Sequence, residues 1–307
     1  MTLARPAQRL TLPDERTLSY AVYGDPGASA VVFHHHGFPG SRDEALMFHE
    51  AAQRHKIRLI ATDRPGMGFS TYQPNRRLLD WPPDLLALAN NLKIGKFAVV
   101  GVSGGAPYVF ACWKRLPRSR CVAAGIVGGL YPTSLGTDGM LLGSRILLGM
   151  GRWAPWLIGK GMDLSIGAVA RDEEHPEKFD QALDESFKSR PAPDRAAWEA
   201  DVSHGRRAMK SSLKEAFRHG GQGVGWETSL LGSDWGFNLE ELSVEPGRRL
   251  LWHGGQDVNC PLTMAERAVA LLPGAELRIS EQDAHFSLVA KADEVMESVG
   301  KMLATAW

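Results

Sequence analysis

The sequence predicts an α/β fold in which a doubly wound, mostly parallel sheet carries one inserted block of helices. Two patterns point there. Apolar runs of strand length alternate with helical stretches from Val31 to Val127 and resume at Arg249, as a parallel sheet covered on both faces requires. Between them, from about Tyr131 to Glu245, strand signals stop and only helical stretches broken by glycine and proline remain. A chain of 307 residues is long for one compact domain and suits a core of about two hundred residues with an insertion. We expect core at 1–130, a helical cap at 131–246 and the returning core at 247–307.

Each element has a local cause. Gln8 to Leu12 and Leu18 to Gly24 read as an opening hairpin, and Val31 to His35 as the first central strand. Ser41 followed by Glu44 matches a capping box, predicting a helix from Arg42 to about His55 with Ala45, Leu46, Phe48 and Ala52 inward. Ile57 to Ala61 returns to the sheet, Asp84 to Leu92 is helical, and Phe97 to Val102 and Val122 to Val127 are strands. In the insertion, Val202, Met209, Leu213 and Phe217 approximate one stripe of a helix ended by Gly220-Gly221. That stripe is assigned to packing rather than to substrate contact.

Chemistry enters at Gly101-Val102-Ser103-Gly104-Gly105, directly after the strand ending Ala98-Val99-Val100. A serine between glycines, entered from a strand and left into the buried helix Ala106 to Trp113, has the form of a nucleophile elbow, a turn so tight that only small residues fit beside the serine. Pro107 is tolerable because it falls in the first helical turn. A serine hydroxyl needs a base and an orienting acid, in the chain order serine, acid, histidine. The strand Arg249 to His253 opens into a glycine-rich turn presenting Asp257, and the strand Ala275 to Ser280 is followed by a loop carrying His285. Asp283 and Glu281 also neighbour His285, but the acid must approach the other side of the ring, which favours Asp257. Gly128, Gly129 and Leu130, after the next strand, offer no carboxylate.

With these motifs the chain resembles the α/β-hydrolase fold family, serine-nucleophile branch with a helical cap. His36-Gly37-Phe38-Pro39-Gly40 is similar to the family's H-G-x-P oxyanion loop, and Asp63-Arg64-Pro65-Gly66-Met67-Gly68-Phe69-Ser70 to its D-x-x-G-x-G-x-S loop. The resemblance implies Ser103 as nucleophile, His285 as base, Asp257 as its orienter, and the backbone N–H groups of Phe38 and Gly104 as the oxyanion hole. It implies hydrolysis of an ester, lactone or thioester, with no cofactor. Hydrolysis of a carbon–carbon bond next to a carbonyl, a proline-releasing amidase and a ligand-sensing receptor of the same fold are the alternatives. Epoxide hydrolases and haloalkane dehalogenases need a carboxylate where Ser103 stands. The amidase reading draws on the Trp235-Gly236-Phe237 segment and would need acids such as Glu173, Glu174 or Glu227 over the site.

Charge and composition narrow the partners. Thirty-five basic and thirty-five acidic residues cancel, leaving no field that favours nucleic acid, so a small molecule is the expected partner and the chain is expected as monomer or homodimer. Cys112, Cys121 and Cys260 cannot all pair, and no secretory pattern precedes the first strand, so a cytoplasmic location is expected. No metal is expected at His34-His35-His36, because consecutive strand residues alternate faces; His36 is read as shaping the oxyanion loop, Asp63 and Arg64 as tying loops down, and Cys260 as packing. Early in the insertion, Arg145, Arg152 and Pro155 interrupt the apolar run too often for a membrane span. The preferred reading places Leu142, Leu147, Trp153 and Trp156 in an apolar wall facing Ser103, with docking to a membrane surface as the alternative.

Overall fold

The computed structural model describes residues 6–242 and 248–306. Eight strands form one sheet: β1 (Gln8–Thr11), β2 (Thr17–Gly24), β3 (Ala30–His35), β4 (Ile57–Thr62), β5 (Phe97–Val102), β6 (Cys121–Val127), β7 (Arg249–Gly254) and β8 (Glu276–Ser280). Their order is β1-β2-β4-β3-β5-β6-β7-β8. The opening hairpin is antiparallel, β2 runs antiparallel to β4, and every other pairing is parallel. The helices are α1 (His49–Arg54), α2 (Trp81–Asn91), α3 (Ala106–Arg115), α4 (Leu142–Gly151), α5 (Pro155–Met162), α6 (Ala168–Arg171), α7 (Pro176–Lys188), α8 (Ala192–Glu199), α9 (Gly205–Ala216), α10 (Gln222–Gly232), α11 (Leu262–Ala270) and α12 (Ala292–Ala304).

Burial on both faces explains why the central strands read as unbroken apolar runs. Alternate residues of one strand join different cores: Val31, Phe33 and Val99 pack with α2, α3 and α11, whereas Val32, Ala98 and Val100 pack with α1 and α12. The predicted inner face Ala45, Leu46, Phe48 and Ala52 is buried.

Three local expectations are corrected. The segment 42–54 is not one α-helix; Arg42–Phe48 winds as a 3-10 helix before α1 begins. The capping box does not close either. Ser41 Oγ accepts from the Asp43 N–H, but the Glu44 carboxylate turns away and accepts the Gly37 N–H with both oxygens at 2.9 Å. Glu44 is thereby spent on the loop after β3, and Ser41 instead donates its own N–H to Ser212 Oγ on α9 at 2.7 Å. α2 also starts earlier than predicted, at Trp81, because Pro82 and Pro83 sit in its first turn, where a missing N–H costs nothing.

Between β6 and β7 the described residues form α4 to α10 and no strand. The expected end of the insertion at 246 lies outside the described residues. A fully buried charge cluster joins this block to the core. Glu227 on α10 pairs with Arg64 Nε at 2.7 Å, Arg76 Nη2 at 2.5 Å, and accepts the Tyr108 hydroxyl at 2.9 Å.

Candidate active site

The turn after β5 shows why its glycines are required. Ser103 has a φ of +51°, a left-handed conformation that a residue with a side chain adopts only where the surroundings enforce it. A Cβ on Gly101 would come within 2.7 Å of the Gly105 carbonyl oxygen, and one on Gly105 would collide with the carbonyl of His35. The strand can therefore reverse into α3 only over glycine, and the reversal places Ser103 just past the C-terminal end of the central strand β5.

His285 reaches Ser103 from the loop after β8. Its Nε2 lies 3.0 Å from Ser103 Oγ and its Nδ1 lies 2.7 Å from Asp257 Oδ2. An ionised carboxylate only accepts, so Nδ1 carries the proton and Nε2 presents its lone pair to the serine hydroxyl. Asp257 is held from behind, since its Oδ1 accepts the N–H groups of Asn259 and Cys260, each at 2.8 Å. Burial opposes the charging of His285, but the charge and hydrogen bond of Asp257, aided by Asp194, outweigh it and leave the imidazole pKa above its usual value; Arg190 pulls the other way. The Asp283 carboxylate is engaged elsewhere, accepting the Ser280 hydroxyl at 2.5 Å.

The loop 36–40 lies across the serine. A Cβ on Gly104 would come within 3.3 Å of the Phe38 backbone nitrogen, so these two backbones meet beside Ser103. Arg64 holds the loop by donating to the Gly37 carbonyl at 2.8 Å, and His36 Nδ1 bonds the same carbonyl at 2.8 Å. Burial, reinforced by Arg64, depresses the His36 pKa well below the ordinary value and keeps the ring neutral. Asp63 fastens the neighbouring turn, accepting the Arg42 N–H at 2.8 Å and its guanidinium at 2.6 Å. Burial pushes the Cys260 thiol well above its ordinary pKa, so it stays protonated.

Above Ser103 lies a cavity of about 290 Å³ bounded by the core and the inserted helices. Its apolar wall comes from Met162, Ile166, Leu183, Phe187, Met209 and Leu213 of the insertion, with Phe286 and Leu288 opposite. Leu142, Leu147, Trp153 and Trp156, expected in that wall, do not line it. Leu142, Trp153 and Trp156 are exposed and Leu147 is half-buried, because the inward faces of α4 and α5 are occupied by α10: a Cβ on Gly151 would meet Thr228 at 2.6 Å, and Gly159 abuts Gly221 and Gly225. Met209 and Leu213, assigned to packing, do face the cavity. Their stripe was readable, as were Leu183 and Phe187 four residues apart on α7, but nothing in the spacing told which apolar stripe overlies the serine.

Sequence reasoning also missed the polar lining. Glu44, Arg190, Asp194 and Asn259 border the cavity, with Asp194 accepting the Ser287 N–H at 2.9 Å and Arg190 donating to Asn259 Oδ1. Glu173, Glu174 and Glu227 do not border it: the first two are exposed and Glu227 is locked into the charge cluster. Among the described residues, no group of three or more His, Cys, Asp or Glu side chains converges to hold a metal ion, and no helix is long and apolar enough to cross a membrane.

This arrangement of sheet, turn and loops is the α/β-hydrolase fold. The sequence model of the Alpha/beta hydrolase family matches residues 31–298, and the chain belongs to that family. No curated protein matches the sequence significantly. Among solved structures the chain is similar to an enol-lactonase from Burkholderia xenovorans, at 16% identity and a TM-score of 0.64 over 97% of this chain and 100% of the other. It is also similar to an esterase from Exiguobacterium antarcticum (15% identity, TM-score 0.65, 97% and 100% covered). A bromoperoxidase from Bacillus anthracis matches at 18% identity and a TM-score of 0.64, over 98% and 100%. At these identities the likeness concerns the fold.

Proposed function

We propose that this chain is a serine hydrolase cleaving an ester, lactone or thioester of a medium-sized, largely apolar molecule through an acyl-enzyme. The observation that carries the reading is the continuous hydrogen-bonded series Ser103–His285–Asp257 at the floor of the apolar cavity. Ser103 Oγ attacks the substrate carbonyl while His285 Nε2 takes its proton, and Asp257 stabilises the imidazolium that forms. The oxyanion receives the backbone N–H groups of Phe38 and Gly104, donors of a kind whose loss costs about a hundredfold to a thousandfold in rate. His285 then returns the proton to the leaving group, and water repeats the sequence on the acyl-enzyme. Helices α4 to α10 act as a cap, a reading supported by the cavity walls that α5, α7, α8 and α9 supply. They exclude water, which strengthens the oxyanion donors. An esterase and an enol-lactonase among proteins of this fold suit the proposal.

The test is a fluorophosphonate probe used beside a panel of nitrophenyl esters of rising chain length and lactones. Ser103 should carry the label, and Ser103→Ala should lose both labelling and turnover. Labelling that survives in the variant places the nucleophile elsewhere, and turnover of none of these substrates by a labelled wild-type protein counts against the ester and lactone reading.

A further inference from the structure

The faces of α4 and α5 that point away from α10 carry an apolar surface the fold does not use. On α4, Leu142, Ile146 and Met150 recur every four residues along the outer face, opposite the buried Leu148 and Gly151. Trp153 in the turn, Trp156 on α5 and Leu164 in the π-helical turn that follows continue it. These are not marginal exposures: Leu142 is 68%, Trp153 79%, Trp156 72% and Leu164 69% accessible. Packing explains the opposite faces of both helices, which glycines press onto α10, and leaves the outer ones unexplained. Among the described residues, eight of the nine exposed large apolar side chains fall between Leu141 and Leu164, a concentration that marks an interaction site.

Charge selects the occupant. From Gly139 to Met162 there is no acidic residue, and Asp163, the next, is paired with Arg171 at 2.7 Å, while Arg145, Arg152 and Lys160 are all exposed. In a chain whose formal charges cancel overall, a local excess of three cations around two projecting indoles is the composition of a helix pair lying in a lipid interface, with tryptophans at headgroup depth and basic side chains on anionic headgroups. The same segment borders the active-site cavity from within. Met162 and Ile166, four residues apart, line the cavity, and Leu164 between them faces outward. We infer that the α4–α5 hairpin docks the protein on an anionic lipid surface, placing the wall of the cavity beside the membrane from which an apolar substrate would enter.

Cosedimentation of the full chain with vesicles tests this, using phosphatidylcholine alone and phosphatidylcholine mixed in equal parts with phosphatidylglycerol. The protein should sediment with the anionic vesicles, release as salt rises and bind the neutral ones weakly, with tryptophan emission shifting to the blue on binding. Trp153→Ala/Trp156→Ala should abolish sedimentation, and Arg145→Gln/Arg152→Gln/Lys160→Gln should weaken it by about tenfold or more. Melting temperature should be unchanged in both, since these side chains are exposed. Failure to bind either vesicle, or binding unaffected by the tryptophan changes, overturns the inference. So does a dimer in solution that the tryptophan changes dissociate, which would give this face to a second copy of the chain. Vesicle binding is read without turnover and on the Ser103→Ala protein as well, so it stands or falls separately from the proposed chemistry.

Discussion

Replacing Asp257 by Asn isolates what the carboxylate does for the imidazole, because the surrounding bonds dictate how the amide must lie. Oδ1 accepts two backbone N–H groups, from Asn259 and Cys260, at 2.8 Å each. Only an oxygen can take that place, so the amide NH2 of the variant must occupy the position of Oδ2, 2.7 Å from His285 Nδ1. An NH2 there donates, which forces the imidazole proton from Nδ1 to Nε2. Nε2, 3.0 Å from Ser103 Oγ, then carries a hydrogen and cannot accept the serine proton. The shape of the site is retained while its base is in the wrong tautomer, and the expected loss in kcat is about ten thousandfold, or roughly 5.5 kcal/mol in the barrier. Steady-state hydrolysis of a nitrophenyl ester, with fluorophosphonate labelling rate as the chemical readout, measures it. Loss of the negative charge also removes the main influence that holds the His285 pKa up against burial, leaving the weaker one of Asp194. A variant within about tenfold of wild type, with its melting temperature unchanged, would refute the assignment of Asp257 as orienter.

Other predictions follow from the same geometry. In the wild type only neutral His285 can accept a proton, so turnover should rise with pH through the histidine titration; because that pKa is raised, the midpoint should lie above the ordinary value of about 6.5, and a midpoint below it would contradict the charge balance described. Shortening Met162, Ile166 or Met209 to alanine should change the ratio of kcat/KM between long and short acyl esters by about ten- to a hundredfold, with labelling of Ser103 little altered; an unchanged ranking would remove these side chains from the specificity wall. Glu227→Gln should leave Arg64 and Arg76 buried without their anion and lower stability by about 3–5 kcal/mol. Thermal unfolding should then show a Tm lower by something on the order of 10 °C, and a shift within experimental scatter would mean the cluster is not a clamp between insertion and core.

The polypeptide order alone determined much of this protein. Gly101 and Gly105 specify a turn in which no side chain fits at either position, and the apolar runs on either side specify the strand and helix it joins. That is local sterics, and it is legible residue by residue. The order of Ser103, Asp257 and His285 was equally readable, since each follows a strand whose pattern ends in a glycine-rich or polar loop. What needed the tertiary structure was direction. Glu44 has the spacing of a helix cap, yet its carboxylate accepts the Gly37 N–H, and the Ser41 N–H that a capping box would give it is taken by Ser212 Oγ from the distant α9. Leu142, Trp153 and Trp156 are as apolar as Ile166 and Leu183, yet the close approach of α4 and α5 to α10 at Gly151 and Gly159 leaves the first three outward, while Ile166 and Leu183 line the cavity. A helix stripe encodes that one face is apolar; which neighbour that face meets, or whether it meets solvent, is fixed by long-range packing that periodicity does not carry.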